Sequence, residues 1–137
     1  MNTLIEASTK FAPQLLILGF LILTFLTSAI DKFMDWNGNI AYFNDHFKAT
    51  FFKGKSKLML GFIAFMELIA GVLSVVGVFQ IYSNSNTQIG FWAAVISAKT
   101  LLLLLFGQRL AKDYAGAMTI VVYFMVALYG VSLLSIN

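Results

Sequence analysis

Two ionisable residues, Glu67 and Lys99, lie within long apolar stretches of this 137-residue chain. A charged side chain at the centre of a membrane-spanning helix costs about 2.5 to 3.5 kcal/mol on insertion scales, so it needs a partner, a wet cavity or a change of protonation state. At 1.5 Å per residue from the nearer end of its own stretch, Glu67 lies about 13 Å deep and Lys99 about 10 Å deep. The matched depths predict an intramembrane Glu67–Lys99 ion pair.

Such a pair has more than one use. As a structural element it would fix the register of two helices, as buried polar groups sometimes do. As a functional element it would bind a polar headgroup, a quinone oxygen or a substrate anion, or relay a proton. A third arrangement leaves a neutral Glu67 unpaired while Lys99 reaches toward the headgroups. Tyr123 lies about 13 Å beyond Tyr114, so its hydroxyl is expected at the level of Glu67.

Four apolar stretches are candidates to hold these residues. A membrane helix needs about 20 apolar residues, and the stretches span residues 13–30, 58–80, 89–106 and 114–135. The chain is 60% hydrophobic and only 11% charged, against about 45 to 50% and 25% in an average soluble domain. These values exclude a soluble globular protein and a disordered one. The predicted fold class is therefore all-α, with residues 1–137 forming a single integral membrane four-helix bundle in the lipid bilayer.

A short amphipathic helix is predicted over residues 39–53, between the first two spans. Ile40, Phe43, Phe47 and Phe51 recur at spacings of three, four and four, which is the period of one helical face. This helix would lie in the headgroup region as an anchor. Alternatively it would be a lid over a lateral opening that admits a lipid-like ligand, with His46 as a proton-handling group.

Basic residues predict the orientation of the chain. Seven of its nine Lys and Arg residues lie in segments 31–57 and 107–113, and only Lys10 flanks the spans on the other side. Because such residues tend to remain in the cytoplasm, both termini are predicted periplasmic and both basic loops cytoplasmic. The net charge of +3 is then a topology signal, and no nucleic-acid partner is expected. Asp31 and Arg109 fall near the same membrane surface and are predicted to pair, as interfacial anchors or ligand contacts.

Small residues indicate which way Glu67 faces. Ala64, Glu67, Gly71 and Ser74 share one stripe of the second span, and small residues mark close helix contacts in membranes. Glu67 is therefore expected to face the bundle interior.

The composition also excludes several chemistries. The chain has no cysteine, which removes disulfides, thiolate catalysis and iron–sulfur clusters. His46 is its only histidine, so no metal site is predicted. The sequence contains no phosphate-binding loop and no nucleophile elbow.

Two runs of residues carry a family resemblance. Ser28-Ala29-Ile30-Asp31-Lys32-Phe33, followed by Ala41-Tyr42-Phe43, and Met66-Glu67-Leu68-Ile69-Ala70-Gly71-Val72-Leu73 resemble the DoxX family of small four-helix membrane proteins. The resemblance implies a bacterial cytoplasmic (inner) membrane protein. Relatives include a subunit of a thiosulfate:quinone oxidoreductase and partners of redox-detoxification complexes. Glu67, Asp31 and Lys32 match the family pattern, whereas Lys99 is singled out by its physics alone.

The expected function follows from the resemblance together with the polar pair. It is an accessory or quinone- or lipid-associated subunit of a membrane redox system, with a quinone as the implied cofactor and a membrane or peripheral redox partner. Any enzymatic activity would belong to a quinone-linked oxidoreductase. Two alternatives stay open: a small-molecule or proton-coupled transporter-like unit, and a purely structural subunit of a larger complex. The oligomeric state is also open.

Overall fold

Helices account for most of the chain in the computed structural model, which describes residues 2–135. Within that range there are six helices and no strand: α1 (Asn2–Lys10), α2 (Ala12–Met34), α3 (Trp36–His46), α4 (Ser56–Asn84), α5 (Gln88–Leu110) and α6 (Tyr114–Ser135). Helices α2, α4, α5 and α6 have 22 to 29 residues and are apolar enough to cross a membrane. The protein is thus an all-α, multi-pass membrane bundle.

The bundle is arranged so that each long helix contacts its neighbours in a ring. Helix α2 packs against α4 and α6, and α5 packs against the same two helices. Large apolar side chains cover the outside: Leu16 is 75% exposed and Phe79 is 66% exposed. Such exposure suits a surface solvated by lipid tails rather than water. The end of the bundle that carries residues 31–57 and 107–113 is called the basic end below.

Glycines allow the closest helix contacts. A Cβ atom on Gly77 of α4 would lie 2.8 Å from Gly90 Cα of α5, and one on Gly71 would lie 3.1 Å from Leu26 of α2. Buried hydroxyls beside these contacts bond to their own helix, since Ser74 Oγ donates to the Ala70 carbonyl at 2.8 Å. Small residues and internally satisfied hydroxyls thus bring the helices together, as is usual in membranes.

Helix α2 contains a single π-helical turn over Ile22–Leu26. Such a turn holds one more residue than the α-helical turn it replaces. It changes which side of α2 the following residues face, including Ser28 and Lys32. The helix then continues to Met34, four residues beyond the end predicted from apolarity.

The segment between α2 and α4 forms one short helix followed by turns. Helix α3 covers Trp36–His46, against the predicted range of 39–53. Gly54 at φ +82° takes the left-handed conformation that favours glycine, shortly before α4 begins. Ser56 Oγ donates to Asn44 Oδ1 at 2.5 Å, which fixes α3 against the start of α4.

The loop between α5 and α6 is also held by hydrogen bonds. Lys112 has a left-handed φ of 59°, and the Asp113 N–H donates to the Gln108 carbonyl at 2.9 Å. Asp113 Oδ1 accepts from the Gly116 N–H at 2.9 Å, so it caps the N-terminus of α6. The short connection places Gln108 and Asp113 beside α3.

Candidate ligand site inside the bundle

Glu67 lies in the bundle interior and pairs with Lys32. Its side chain is 4% exposed, that of Lys32 is 15% exposed, and Lys32 Nζ lies 2.8 Å from Glu67 Oε1. Lys32 also donates to Ser28 Oγ at 2.8 Å. Ala64, Gly71 and Ser74, which share the stripe of Glu67, are buried as well, so this face of α4 points inward.

The predicted Glu67–Lys99 pair is therefore wrong, because Lys32 takes the place of Lys99. The buried face of α5 includes Ala94, Ser97, Ala98 and Leu101, and Lys99 is exposed. Successive helical residues turn by about 100°, so Lys99 points some 200° away from Ser97. Glu67 and Lys99 lie at similar depth, but the rotation of α5 about its axis directs Lys99 away from Glu67.

The predicted Asp31–Arg109 pair is also absent. Asp31 is exposed and takes part in no ion pair among the described residues. The guanidinium of Arg109 instead lies over the Tyr114 ring, with its Cζ 5.1 Å from the ring centroid. Asp31 precedes Lys32 directly on α2, so when Lys32 faces inward Asp31 is rotated toward the outside.

A cavity of about 900 Å³ adjoins the Lys32–Glu67 pair. It lies in the half of the bundle nearest the basic end, with lining residues from α2, α3, α4, α5 and α6 and from Phe47 and Phe52. Most of its wall is aromatic or aliphatic; the polar members are Thr24, Thr27, Ser28, Lys32, Asn39, Tyr42, His46, Glu67, Gln108 and Tyr123. A large apolar cavity with a few converging polar groups is the usual form of a small-molecule site.

The Glu67 carboxylate has bonding capacity beyond its ion pair. Oε1 is buried and lies 2.8 Å from Lys32 Nζ, its ion-pair partner, and no other described group donates a hydrogen bond to it. A carboxylate can accept several hydrogen bonds, and most buried polar atoms have a partner. A ligand that donates to Glu67 or accepts from Lys32 would complete this group.

Helix α3 covers the basic end of the cavity through His46. The Nε2 atom of His46 lies 2.6 Å from Gln108 Oε1 and 3.8 Å from Asp113 Oδ2. Tyr42 stacks on the imidazole with centroids 5.1 Å apart, and Phe47 meets it edge-on at 4.8 Å. The contacts of His46 with Gln108 and Asp113 join α3 to the C-terminal end of α5 and to the α5–α6 loop.

Tyr123 lines the same cavity as Glu67, from the opposite side of the bundle. Its ring meets Phe20 edge-on, with centroids 5.8 Å apart. The structure thus brings Glu67, Tyr123 and His46 to one cavity, while Lys99, Asp31 and Arg109 are not among its lining residues.

Lys32, Ser28 and Gln108 bond to other polar groups of the site and are among the cavity residues that sequence reasoning did not select. The apolar run ends at Ile30, which placed Lys32 in a loop. The available signal was the spacing of Ser28 and Lys32, since residues four apart on a helix share a face. The resemblance also marked Lys32 as a matching position, without a partner.

Neither a search for metal-binding groups nor comparison with known proteins assigns a function to the site. Within residues 2–135 no group of three His, Asp or Glu side chains could hold a metal ion. No protein-family model matches the chain, and no curated protein or solved structure is significantly similar to it. The chemistry of the cavity therefore carries the functional argument.

Proposed function

We propose that this protein binds an isoprenoid quinone in the cavity and acts as an accessory subunit of a DoxX-type redox system in the bacterial cytoplasmic membrane. The observation that carries the proposal is the buried Lys32–Glu67 pair, open to a cavity whose wall is mainly aromatic and aliphatic. A quinone likewise combines a polar head with an apolar tail, since the carbonyl oxygens of the head are hydrogen-bond acceptors.

The polar groups suit a quinone head in a definite way. Lys32 Nζ can donate to one carbonyl oxygen, and the Tyr123 hydroxyl lines the same cavity. The Glu67 carboxylate, which can accept hydrogen bonds in addition to its contact with Lys32, would accept from the hydroxyl of a reduced quinol. The aromatic side chains from α2 and α3 would cover the ring and the first part of the tail.

The proposed orientation places the basic end in the cytoplasm and both termini in the periplasm. It rests on the seven basic residues of segments 31–57 and 107–113. In this orientation the cavity lies in the cytoplasmic half of the membrane, and α3 separates it from the cytoplasm. A redox partner would then exchange electrons with the bound quinone from that side.

Quinone binding to the purified protein in lipid nanodiscs tests the proposal. Short-chain ubiquinone and menaquinone analogues serve as probes, and quenching of tryptophan fluorescence reports their binding. Lys32→Met and Glu67→Gln should each weaken binding about tenfold, which corresponds to the loss of one charge-assisted hydrogen bond worth roughly 1.5 kcal/mol.

Lys99→Met is the matched control, because it removes a lysine at similar depth that lies outside the cavity. It should leave quinone affinity unchanged. Each variant is compared at equal folded fraction, measured by circular dichroism. Equal quinone affinity in the wild type, Lys32→Met and Glu67→Gln would refute the quinone site and leave the pair with a structural role.

A further inference from the structure

The second intramembrane charge, Lys99, has no ion-pair partner among residues 2–135. It is exposed, and no described carboxylate forms an ion pair with it. It is the central residue of α5, with eleven residues on either side in Gln88–Leu110. At 1.5 Å per residue, each end of the helix is about 16 Å away.

Lys99 lies about 10 Å inside the nearer end of its apolar stretch, which is farther than its side chain extends. The hydrocarbon core is about 30 Å thick, so the centre of α5 lies near its midplane. A four-carbon stem covers only part of the distance to the headgroups. Whether protonated or neutral, an amine surrounded by lipid tails lacks hydrogen-bond partners, which is unfavourable by several kcal/mol for a polar group in hydrocarbon.

The surface around Lys99 is a continuous outward stripe of α5. Trp92 is 51% exposed, Leu102 is 50% exposed and Phe106 is 51% exposed. Together with Lys99 these residues follow spacings of seven, three and four, which place them on one helical face. The stripe is long enough for a second transmembrane helix to contact it over most of the length of α5.

A second copy of this chain cannot supply the missing partner. The chain has six acidic residues. Glu67 is buried in its pair with Lys32. The other five acidic residues lie outside the central parts of the long helices: Glu6 in α1, Asp31 in the last turn of α2, Asp35 between α2 and α3, Asp45 in α3 and Asp113 in the α5–α6 loop. A symmetric contact of α5 with α5 would also bring two Lys99 residues together. The complementary group must come from a different protein.

We infer that the Lys99 stripe of α5 is the docking surface for a transmembrane helix of another protein, one that carries an aspartate or glutamate near the bilayer midplane. The carboxylate would pair with Lys99, and the Trp92, Leu102 and Phe106 side chains would contact the rest of that helix. Phe106 also lines the cavity, so the docked helix would lie beside the ligand site. The inference does not depend on which ligand the cavity binds.

The test uses defined peptide helices and the full-length protein in liposomes. A fluorescently labelled Leu/Ala transmembrane peptide carries one central Glu; matched peptides carry Gln at that position, or Glu near one end. Energy transfer to labelled protein measures association. Wild-type protein should bind the central-Glu peptide about tenfold more tightly than either matched peptide, since interhelical polar contacts in membranes are worth about 1 to 2 kcal/mol.

Lys99→Met should abolish this preference, and Lys57→Met should not. Lys57 is an exposed lysine at the start of α4, so it controls for a general effect of positive charge. A charge exchange adds a second arm: Lys99→Glu should bind a central-Lys peptide in preference to the central-Glu peptide. Equal binding of the three peptides to the wild type, or a preference that survives in Lys99→Met, would overturn the docking surface.

Discussion

Lys32 reaches Glu67 from a helix position close to the membrane surface. It lies two residues before the end of α2 at Met34, whereas Glu67 lies eleven residues into α4. Side chains on a helix tilt toward its N-terminus, and from Lys32 that direction leads into the bundle. The flexible stem therefore delivers a cation to the interior from a residue that apolarity assigns to the surface.

Each member of the Lys32–Glu67 pair compensates the charge of the other, so removing one of them should destabilise the fold. Lys32→Met would leave a buried carboxylate without its cation and should lower the free energy of unfolding by about 3 kcal/mol. Replacing both partners, as Lys32→Met with Glu67→Met, should recover most of this loss, because it removes both desolvated charges. Unfolding by SDS in mixed micelles, followed by circular dichroism, measures each variant.

The double-mutant cycle gives a coupling energy for the pair. We expect about 2 to 3 kcal/mol, the upper part of the range for contacting residues. Lys99→Met combined with Glu67→Met serves as the comparison and should show additive effects. Additive effects in the Lys32 cycle would mean that the 2.8 Å contact does not stabilise the fold.

The ionic partners at this scale could be predicted only in part. Glu67 was selected correctly as an inward-facing residue, since its small neighbours on α4 define a packed stripe. Its partner was predicted wrongly, because the depth of a residue along a helix can be counted from the sequence, whereas the rotation of one helix relative to another cannot. By depth alone both Lys32 and Lys99 were candidate partners of Glu67, and the direction of each side chain decided between them.

At the scale of elements, the long helices were the most predictable part of the molecule. A run of apolar residues has few alternatives to a membrane-spanning helix, because lipid leaves backbone groups no other partner. The ends were harder: α2 extends beyond Ile30, because polar side chains at a helix end can reach other polar groups or the interface. The extent of α3 depends on contacts with the α5–α6 loop that the local pattern does not contain.

The close contact between α4 and α5 at Gly77 should not tolerate a larger side chain. In Gly77→Ala the new methyl group would lie 2.8 Å from Gly90 Cα and 2.9 Å from its backbone nitrogen. Because the obstacle is backbone, α4 and α5 must move apart, and we expect a loss of about 1 to 3 kcal/mol in the free energy of unfolding. The same SDS titration measures it.

Gly19→Ala is the control for this substitution. A Cβ atom at Gly19 meets no atom within 4 Å, and alanine favours the helix over glycine by about 0.5 to 1 kcal/mol. This variant should be as stable as the wild type or slightly more so. Equal destabilisation of the two variants would show that the Gly77 contact is not the cause.

At the scale of the whole molecule, the distribution of basic residues makes the orientation testable. The chain has no cysteine, so a single introduced thiol can be labelled without background. Ser83→Cys near the α4–α5 loop should react with a membrane-impermeant maleimide on intact bacterial cells. Ala49→Cys at the basic end should react only after permeabilisation, because basic loops remain in the cytoplasm.

Both positions are exposed in the structure, so a difference in labelling reports the side of the membrane rather than burial. Denatured samples labelled in parallel give the maximum signal for each variant. The reverse pattern would invert the proposed topology and move the cavity to the periplasmic half of the membrane.

Because of the π-helical turn at Ile22–Leu26, the Lys32–Glu67 ion pair depends on the number of residues in α2 as well as on their identity. Removing one residue there would restore an ordinary α-helical turn and rotate everything downstream by about 100°. Ser28 and Lys32 would then turn away from Glu67, although the span would remain apolar and long enough to cross the membrane. Related chains could thus gain or lose this polar site through a one-residue insertion or deletion, a change that is nearly invisible in hydropathy.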